Sequence, residues 1–494
     1  MSKRHYKQGI HRGQGYLLPP SIEEYVLEDN PVRAIDSFVE SLDIEQMGFV
    51  NATGELTPGQ PAYPPRSLLK LYLYGYLHHI RSSRQLEAEC RRNLEVIWLL
   101  EGLKPSYKTI ADFRKDNLRG LRQVNQDFVQ LCKELDLFGA ELVGIDGSFF
   151  RGNISWNHIF TAERLKETLE GIEASISRYL NELNQVDQAE EQHSEKVQDL
   201  QAKLAQLRER QVKRKAQAQQ LQESGESQIA EVDEDARLLR KNGQRVAGYN
   251  VQTAVDSKHR LMVAGEVTQD GNDSQQAAPM GIAAKQALGV ETLETVQDTG
   301  YFNGEQIEMC LKNGITPYMP EPAKTNEKAQ PGRFLRRDFS YDPQTNSYTC
   351  PNQKCLAYKN DLTADGRVYH VYQSWSQECA QCPFKDKCLP AKTKHRTITR
   401  GEQEPIFEAH RERMEKRGNT LMRQRAGLCE HPFGTLKLWC GWTHFLLRGL
   451  QKVRAEWSLM MLGYNFKRVL SILDLATFRA YCATRNQQRW VASS

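Results

Sequence analysis

Three acidic residues stand where a short apolar run stops or a helix begins, and together they could hold metal ions. Asp146 closes the run AELVGID, Asp298 closes TLETVQD, and Glu430 falls in LCEHPFGTLKLW. An Asp at the end of a buried strand is a fixed ligand, because the sheet sets its position. A Glu on a helix can swing in from the opposite side. Carboxylate oxygens are hard donors and suit magnesium. Two such ions about 3.5–4 Å apart activate an attacking oxygen and stabilise a leaving one across phosphorus, so the chemistry on offer is phosphodiester transfer. Each residue alone has a plainer reading. Asp146 before Gly147 and Asp298 before Thr299-Gly300 are ordinary turn residues, and Glu430 suits the first turn of a helix. Asp256, Asp270 and Asp273 also lie near strand ends, and Asp273 could cap the helix that follows. Only the joint arrangement singles out the three.

The elements that must position them follow from the hydropathy pattern. AELVGIDGSFF reads as a buried strand, and VAGYNVQTAVDSKHRLMVAGEVTQD as a β-hairpin turning at Asp256-Ser257. TLETVQDTGYFNGEQIEMCLKNG is a strand, an Asp, a loop and a helix; ITPYMP is a further strand, and LCEHPFGTLKLWCGW starts another helix. A carboxylate ending the first strand, another ending the fourth and a third on a late helix make a ribonuclease H-like α/β core the best single explanation. Before it, residues from about Ser21 to Leu137 carry apolar positions three and four apart, which predicts an all-α N-terminal domain. Between the first strand and the hairpin, Leu165, Leu169, Ile172, Ile176, Tyr179, Leu183 and Val186 step by four and three, and Val197, Leu200, Leu204 and Leu207 continue the register. A single helix of about 55 residues would be about 80 Å long, and about 20 extended residues recover at most about 70 Å. The chain must return to pair a second strand with the first. An antiparallel helical hairpin turning near Asp187 to Ser194 is therefore expected, with a dimerising coiled coil as the competing form.

The expected division is 1–138, helical and DNA-binding; 139–160, the first part of the core; 161–225, the coiled-coil-like insertion; and 226–325, the rest of the core. A Cys-rich insertion at 326–400, C-terminal catalytic helices at 401–475 and a tail at 476–494 complete it.

Charge is unevenly spread along the 494 residues. Met1 to Ala140 holds 18 Lys/Arg against 18 Asp/Glu, whereas Lys392 to Arg468 holds 16 against 7. A concentrated basic surface suits a phosphate backbone, because neutralised phosphates release counterions. Arg81, Arg84, Arg91 and Arg92 form one cluster, and a solvated charged face is its plain alternative. No run of eighteen apolar residues is present, which argues against a membrane span, and the basic N-terminus lacks the apolar segment of a signal peptide. Eleven cysteines and no such leader point to a reducing cytoplasm. Five of them, Cys350, Cys355, Cys379, Cys382 and Cys388, are clustered. Four thiolates in two close pairs make a structural zinc site, one cysteine being surplus, and reduced unliganded thiols are the alternative. Cys90, Cys132, Cys310, Cys429, Cys440 and Cys482 are isolated.

At these residues the chain resembles bacterial insertion-sequence transposases of the DDE type, nearest the eleven-eighty-two group. LLPPSIEEYV, NPVRAIDSFV, YPPRSLLKLYLYGYLHHIRSSRQLEAECRRN and TIADFRKDN look like that group's helical N-terminal domain. VGIDGSFFRGN looks like its first catalytic strand, DEDARLLRKNGQRVAGYNVQTAVDS like the approach to its second and third strands, DTGYFNGEQ like its second Asp segment and CEHPFGTLK like its Glu segment. Thr299 stands where Ala or Lys is expected and Cys429 where an aliphatic residue is usual, and neither removes a ligand. The resemblance implies an RNase H-like fold and two Mg²⁺ (or Mn²⁺) ions on Asp146, Asp298 and Glu430. It also implies double-stranded DNA partners (the element's terminal inverted repeats and a target), synapsis as a homodimer, and a place on the bacterial nucleoid. Arg423, Arg425, His431, Lys437, Arg448 and Lys452 would then lie near Glu430 and hold phosphates. A metal-dependent nuclease of the same fold and a catalytically retired DNA-binding protein are the rival readings.

Overall fold

The computed structural model describes residues 21–51, 61–188, 194–241, 243–322, 332–364, 366–390 and 392–493. The chain divides into two compact units: residues 1–132 with 451–494, and residues 133–450.

The first unit is helical. It contains α1 (Val32–Glu40), α2 (Pro65–Leu77), α3 (Ser83–Arg92), α4 (Leu94–Leu99), α5 (Tyr107–Asp116) and α6 (Leu118–Glu134, whose last two residues belong to the second unit). Pro65 at the start of α2 has no N–H to leave unsatisfied, and Ser106 caps α5 by accepting the Thr109 N–H at 3.2 Å. The core is aromatic. Phe38 and Phe128 meet edge to face at 5.1 Å between centroids, and Phe466 packs on both and on Phe478. Phe466 and Phe478 come from the two C-terminal helices.

The second unit is built on one mixed sheet and one antiparallel sheet. Its strands in chain order are β1 (Leu142–Arg151), β2 (Ile159–Thr161), β3 (Gln228–Ala230), β4 (Arg237–Lys241), β5 (Gln244–Asp256), β6 (Met262–Thr268), β7 (Leu293–Val296) and β8 (Ile315–Tyr318). The main sheet runs β4-β5-β1-β7-β8, with β6 also on β5. β5 runs antiparallel to both β1 and β6, β7 runs parallel to β1, and β8 runs parallel to β7. The path β6-β5-β1-β7-β8 is ribonuclease H-like. Helices α9 (Ala277–Leu288) and α10 (Gly304–Lys312) provide the crossovers that parallel pairing requires. Between β2 and β3, α7 (Ala162–Gln188) and α8 (Ser194–Ser224) pack on each other. Leu165, Ile172, Leu200, Leu204 and Leu221 are buried, as a hairpin of two helices demands. Most of the expected turn lies outside the described residues.

The Cys-rich segment is a sheet in its own right, which the hydropathy pattern did not foretell. β9 (Ser340–Asp342), β10 (Ser347–Thr349), β11 (Cys355–Ala364), β12 (Arg367–Ser374) and β13 (Thr397–Gly401) run in the order β13-β12-β11-β10-β9. The short helices α11 (Ser376–Ala380) and α12 (Lys385–Cys388) follow β12. Then α13 (Glu404–Arg413) leads through a π turn into α14 (Asn419–Gly434). The final helices, α15 (Leu450–Ile472) and α16 (Leu475–Ser493), cluster from Gln451 onward with the N-terminal helices. The boundary expected at 475 therefore falls at 450, because the apolar faces of these helices complete the aromatic core above.

Candidate active site

β1 is the central strand of the second unit, and it continues past the carboxylate where it was expected to end. Asp146 stands mid-strand, opposite Thr253 of β5, and accepts the Gly147 N–H at 2.9 Å. Gly144 and Asp146 share a face of β1, since side chains alternate. Against that face lies α14: a Cβ on Gly144 would stand 2.8 Å from Cys429 Sγ and 3.0 Å from Leu428 Cβ. The missing side chain at 144 is what lets the helix approach. Arg425 on the same helix places Nη1 3.9 Å from Asp146 Oδ1.

The other face of β1 is equally specialised. A Cβ on Gly147 would meet the Asp273 carboxylate at 2.5 Å and the Gln252 amide closer still. Asp273 is buried. Its Oδ1 accepts N–H from Asn250 at 2.8 Å and from Gln252 at 2.7 Å. The Tyr301 hydroxyl donates to Gln252 Oε1. None of these four was singled out as a site residue, apart from Asp273 as a helix cap. The signal for them was polar residues at alternate positions, Asn250 and Gln252, inside an otherwise apolar strand.

Asp298 lies two residues beyond β7. It caps the single turn Thr299–Tyr301 by accepting the Gly300 N–H at 2.8 Å. Asp146 and Asp298 both stand beside Asp273: a Cβ on Gly300 would be 3.0 Å from Asp298 Oδ1 and 3.9 Å from Asp273 Oδ2, and one on Gly147, whose N–H Asp146 accepts, would be 2.5 Å from Asp273 Oδ1. Burial raises the Tyr301 hydroxyl well above its ordinary value, and the charges of Asp273, Asp146 and Asp298 add to the rise. Burial likewise raises the Cys429 thiol, with Asp146 and Asp298 adding and Arg425 opposing. Glu430 follows Cys429 and is exposed. It sits deep in α14, which begins eleven residues earlier than the Glu, so the helix-start reading of Glu430 falls away. Pro432 and a π turn, Thr435–Trp439, come directly after it.

The expected phosphate-binding residues divide by setting. Arg84, Arg91 and Arg92 are exposed on α3, Arg91 near Glu87 at 3.2 Å and Arg92 near Glu89 at 2.5 Å. Arg81 is buried, its guanidinium 3.6 Å from the fully buried Glu456, so its charge is used inside the helical unit rather than on its surface. Arg423 is exposed, and His431 is half-buried. Lys437 donates to Ser148 Oγ at 2.6 Å and Phe149 O at 2.7 Å, with its ammonium 4.4 Å from the Phe150 ring centroid. Arg448 is exposed and bonds to Asn153 O at 3.1 Å. Lys452 is half-buried and belongs to the helical unit.

Of the five clustered cysteines, Cys350, Cys379, Cys382 and Cys388 line one small cavity, while Cys355 is exposed on β11. Among the described residues, no three His, Cys, Asp or Glu side chains stand together in a group that could hold a metal ion. No described helix is long and apolar enough to cross a membrane.

Two family models match the sequence: a "Transposase domain (DUF772)" over residues 20–116 and a "Transposase DDE domain" over residues 349–470. The second segment contains Glu430, and Asp146 and Asp298 lie outside both. No curated protein matches. A cryo-EM structure of a piggyBac transposase synaptic complex with hairpin DNA aligns with 93% of this chain and 79% of that one, at 9% identity and a TM-score of 0.35.

Proposed function

Because the chain belongs to the insertion-sequence DDE transposases, we propose that Asp146, Asp298 and Glu430 are its catalytic carboxylates and that they cut and rejoin DNA at the inverted repeats of its own element. The observation that carries this reading is convergence. Asp146 and Asp298, far apart in sequence, act on the same two buried groups, and one of these, Cys429, precedes Glu430.

The donors fit hard divalent cations such as Mg²⁺ or Mn²⁺. Carboxylate oxygens are the right ligands, and the neighbouring Cys429 thiol is buried. Two such ions, when bound, would activate the attacking oxygen and stabilise the leaving 3′-oxygen. The chain's own residues supply position. β1 fixes Asp146 in the sheet, and the capped turn fixes Asp298. Tyr301, Gln252, Asn250 and Asp273 form a buried hydrogen-bonded floor beneath Gly147. Arg425, close to Asp146, is placed to meet a non-bridging phosphate oxygen. Exposed Arg84, Arg91, Arg92, Arg423 and Arg448 would contact backbone phosphates, positioning DNA without reading its sequence. Joining two element ends calls for two copies of the chain, and a homodimer on nucleoid DNA in the bacterial cytoplasm meets that need.

The test is excision in vivo of a marked element bearing the native ends. Asp298→Ala should lower excision at least about a thousandfold, equivalent to about 4 kcal/mol of barrier, with the folded protein's thermal midpoint unchanged. Equal excision by both proteins would remove Asp298 from the site. Nicking by the wild type without any joining would make the protein a nuclease.

A further inference from the structure

We propose that Cys350, Cys379, Cys382 and Cys388 bind one zinc ion and that Cys355 stands outside the ligand set. This inference rests on the second sheet of residues 133–450 and is independent of the catalytic assignment.

The sequence leaves five thiols for a metal that takes four, and the fold sorts them. Cys350 follows β10, Cys379 lies in α11, Cys382 in the turn after it, and Cys388 ends α12. All four face a cavity of about 30 Å³, room for an ion and little else. Cys355, by contrast, begins β11 opposite Thr349 and is exposed, away from that cavity. The looser x4 spacing between Cys350 and Cys355 is therefore the length of a turn and not a ligand spacing.

The surroundings suit thiolates. The turn after Cys350 is closed by Cys350 N–H to Lys354 O at 2.9 Å and Gln353 N–H to Cys350 O at 2.8 Å, with Gln353 at φ +55°. This turn aims the Lys354 N–H at Cys350 Sγ, 3.3 Å away. Ser374 Oγ stands 3.0 Å from Cys379 Sγ. Four thiolates around Zn²⁺ carry a net charge of −2, and Lys354, Lys385 and Arg396 line the same cavity. Zinc in structural sites is tetrahedral, with sulfur at about 2.3 Å. The four thiols line the wall without already forming that geometry, so binding would draw them inward.

The ion would also have mechanical work to do. Cys350 precedes the β11–β12 hairpin, and the other three cysteines follow it, so one ion would clip the base of a long hairpin. Cys350 and Cys388 pack against the small core of Phe339, Tyr348, Leu356, Tyr372 and Ile398. So small a core commonly needs a metal or a disulfide to be stable.

The test is metal analysis of the full-length chain purified under reducing conditions, for wild type, Cys355→Ser, Cys382→Ser and Asp298→Ala. One zinc per chain is expected in wild type, Cys355→Ser and Asp298→Ala, and its loss in Cys382→Ser. Should Cys382→Ser fail to fold, the wild-type protein reconstituted with Co²⁺ decides: a tetrahedral spectrum with four-thiolate charge-transfer intensity is expected. A folded wild type without zinc, loss of zinc from Cys355→Ser alone, a three-thiolate cobalt spectrum, or disulfides among the four would each overturn the proposal. Loss of excision in Asp298→Ala with zinc retained would separate this site from the catalytic one.

Discussion

Acidic side chains are buried in both units, but they are held differently. In the helical unit, carboxylates are matched by guanidinium groups. Asp127 receives Arg485 at 2.6 Å and Arg489 at 2.7 Å. Glu456, with no exposed surface, lies 3.6 Å from Arg81, and its charge helps to raise Arg114 against the opposing cost of burial. Around β1, the acids also take bonds from neutral donors, and Arg425 stands 3.9 Å from Asp146. Asp146 takes the Gly147 N–H, Asp298 the Gly300 N–H, and Asp273 two carboxamides. A guanidinium cancels the charge it fixes, whereas an amide orients a carboxylate and leaves its formal charge in place.

The comparison can be broken most directly at Glu456. Glu456→Ala should destabilise the helical unit by about 3–5 kcal/mol, because Arg81 and Arg114 would be left buried without their counter-charge. Chemical denaturation of the full chain measures this, and a cost under about 1 kcal/mol would show that the pairing is incidental. Asp273 should respond less. Asp273→Ala strands two buried carboxamides, whose lost bonds cost about 1–3 kcal/mol. Equal losses at Glu456 and Asp273 would erase the distinction between the two units.

Much of the fold was legible in the sequence, because it rests on periodicity. The apolar runs of β1, β7 and β8 and the alternating hairpin of β5 and β6 announce themselves, and the carboxylates placed along them made a ribonuclease H-like sheet the best single explanation. Three features were hidden for physical reasons. β1 continues beyond Asp146 because Gly147 admits Asp273 and Gln252 beside it, a contact between residues far apart in sequence. Asn250 and Gln252 are buried within β5 and bond to Asp273, a partner that the alternation of the strand does not name. The helices from Leu450 onward could not be assigned to the N-terminal unit, since an apolar helix face does not name its partner. Asp146, Asp298 and Glu430 were conspicuous only as a set.

Glu231 offers the finest test, because it belongs to the sheet-containing unit and yet is held as the helical unit holds its acids. Lys213, Arg214 and His158 approach it at 2.9, 2.6 and 2.8 Å, and Gln217 bonds at 3.1 Å. Burial alone would raise its carboxyl, but these hydrogen bonds outweigh burial and bring it down to about 2. A carboxyl lowered on folding stabilises the folded state fully above its unfolded value, and the gain disappears as pH falls through the folded one. The stabilisation should therefore be complete above about pH 4.5 and vanish towards pH 2, amounting to about 1–2 kcal/mol after solvent screening. Because the clamp ties α8 to the segment after β3, hydrogen exchange of the α7–α8 hairpin should quicken over that interval. Glu231→Gln should flatten the dependence. If the variant keeps the wild-type slope, other carboxylates govern the hairpin, and pairing with cations would not distinguish scaffold acids from catalytic ones.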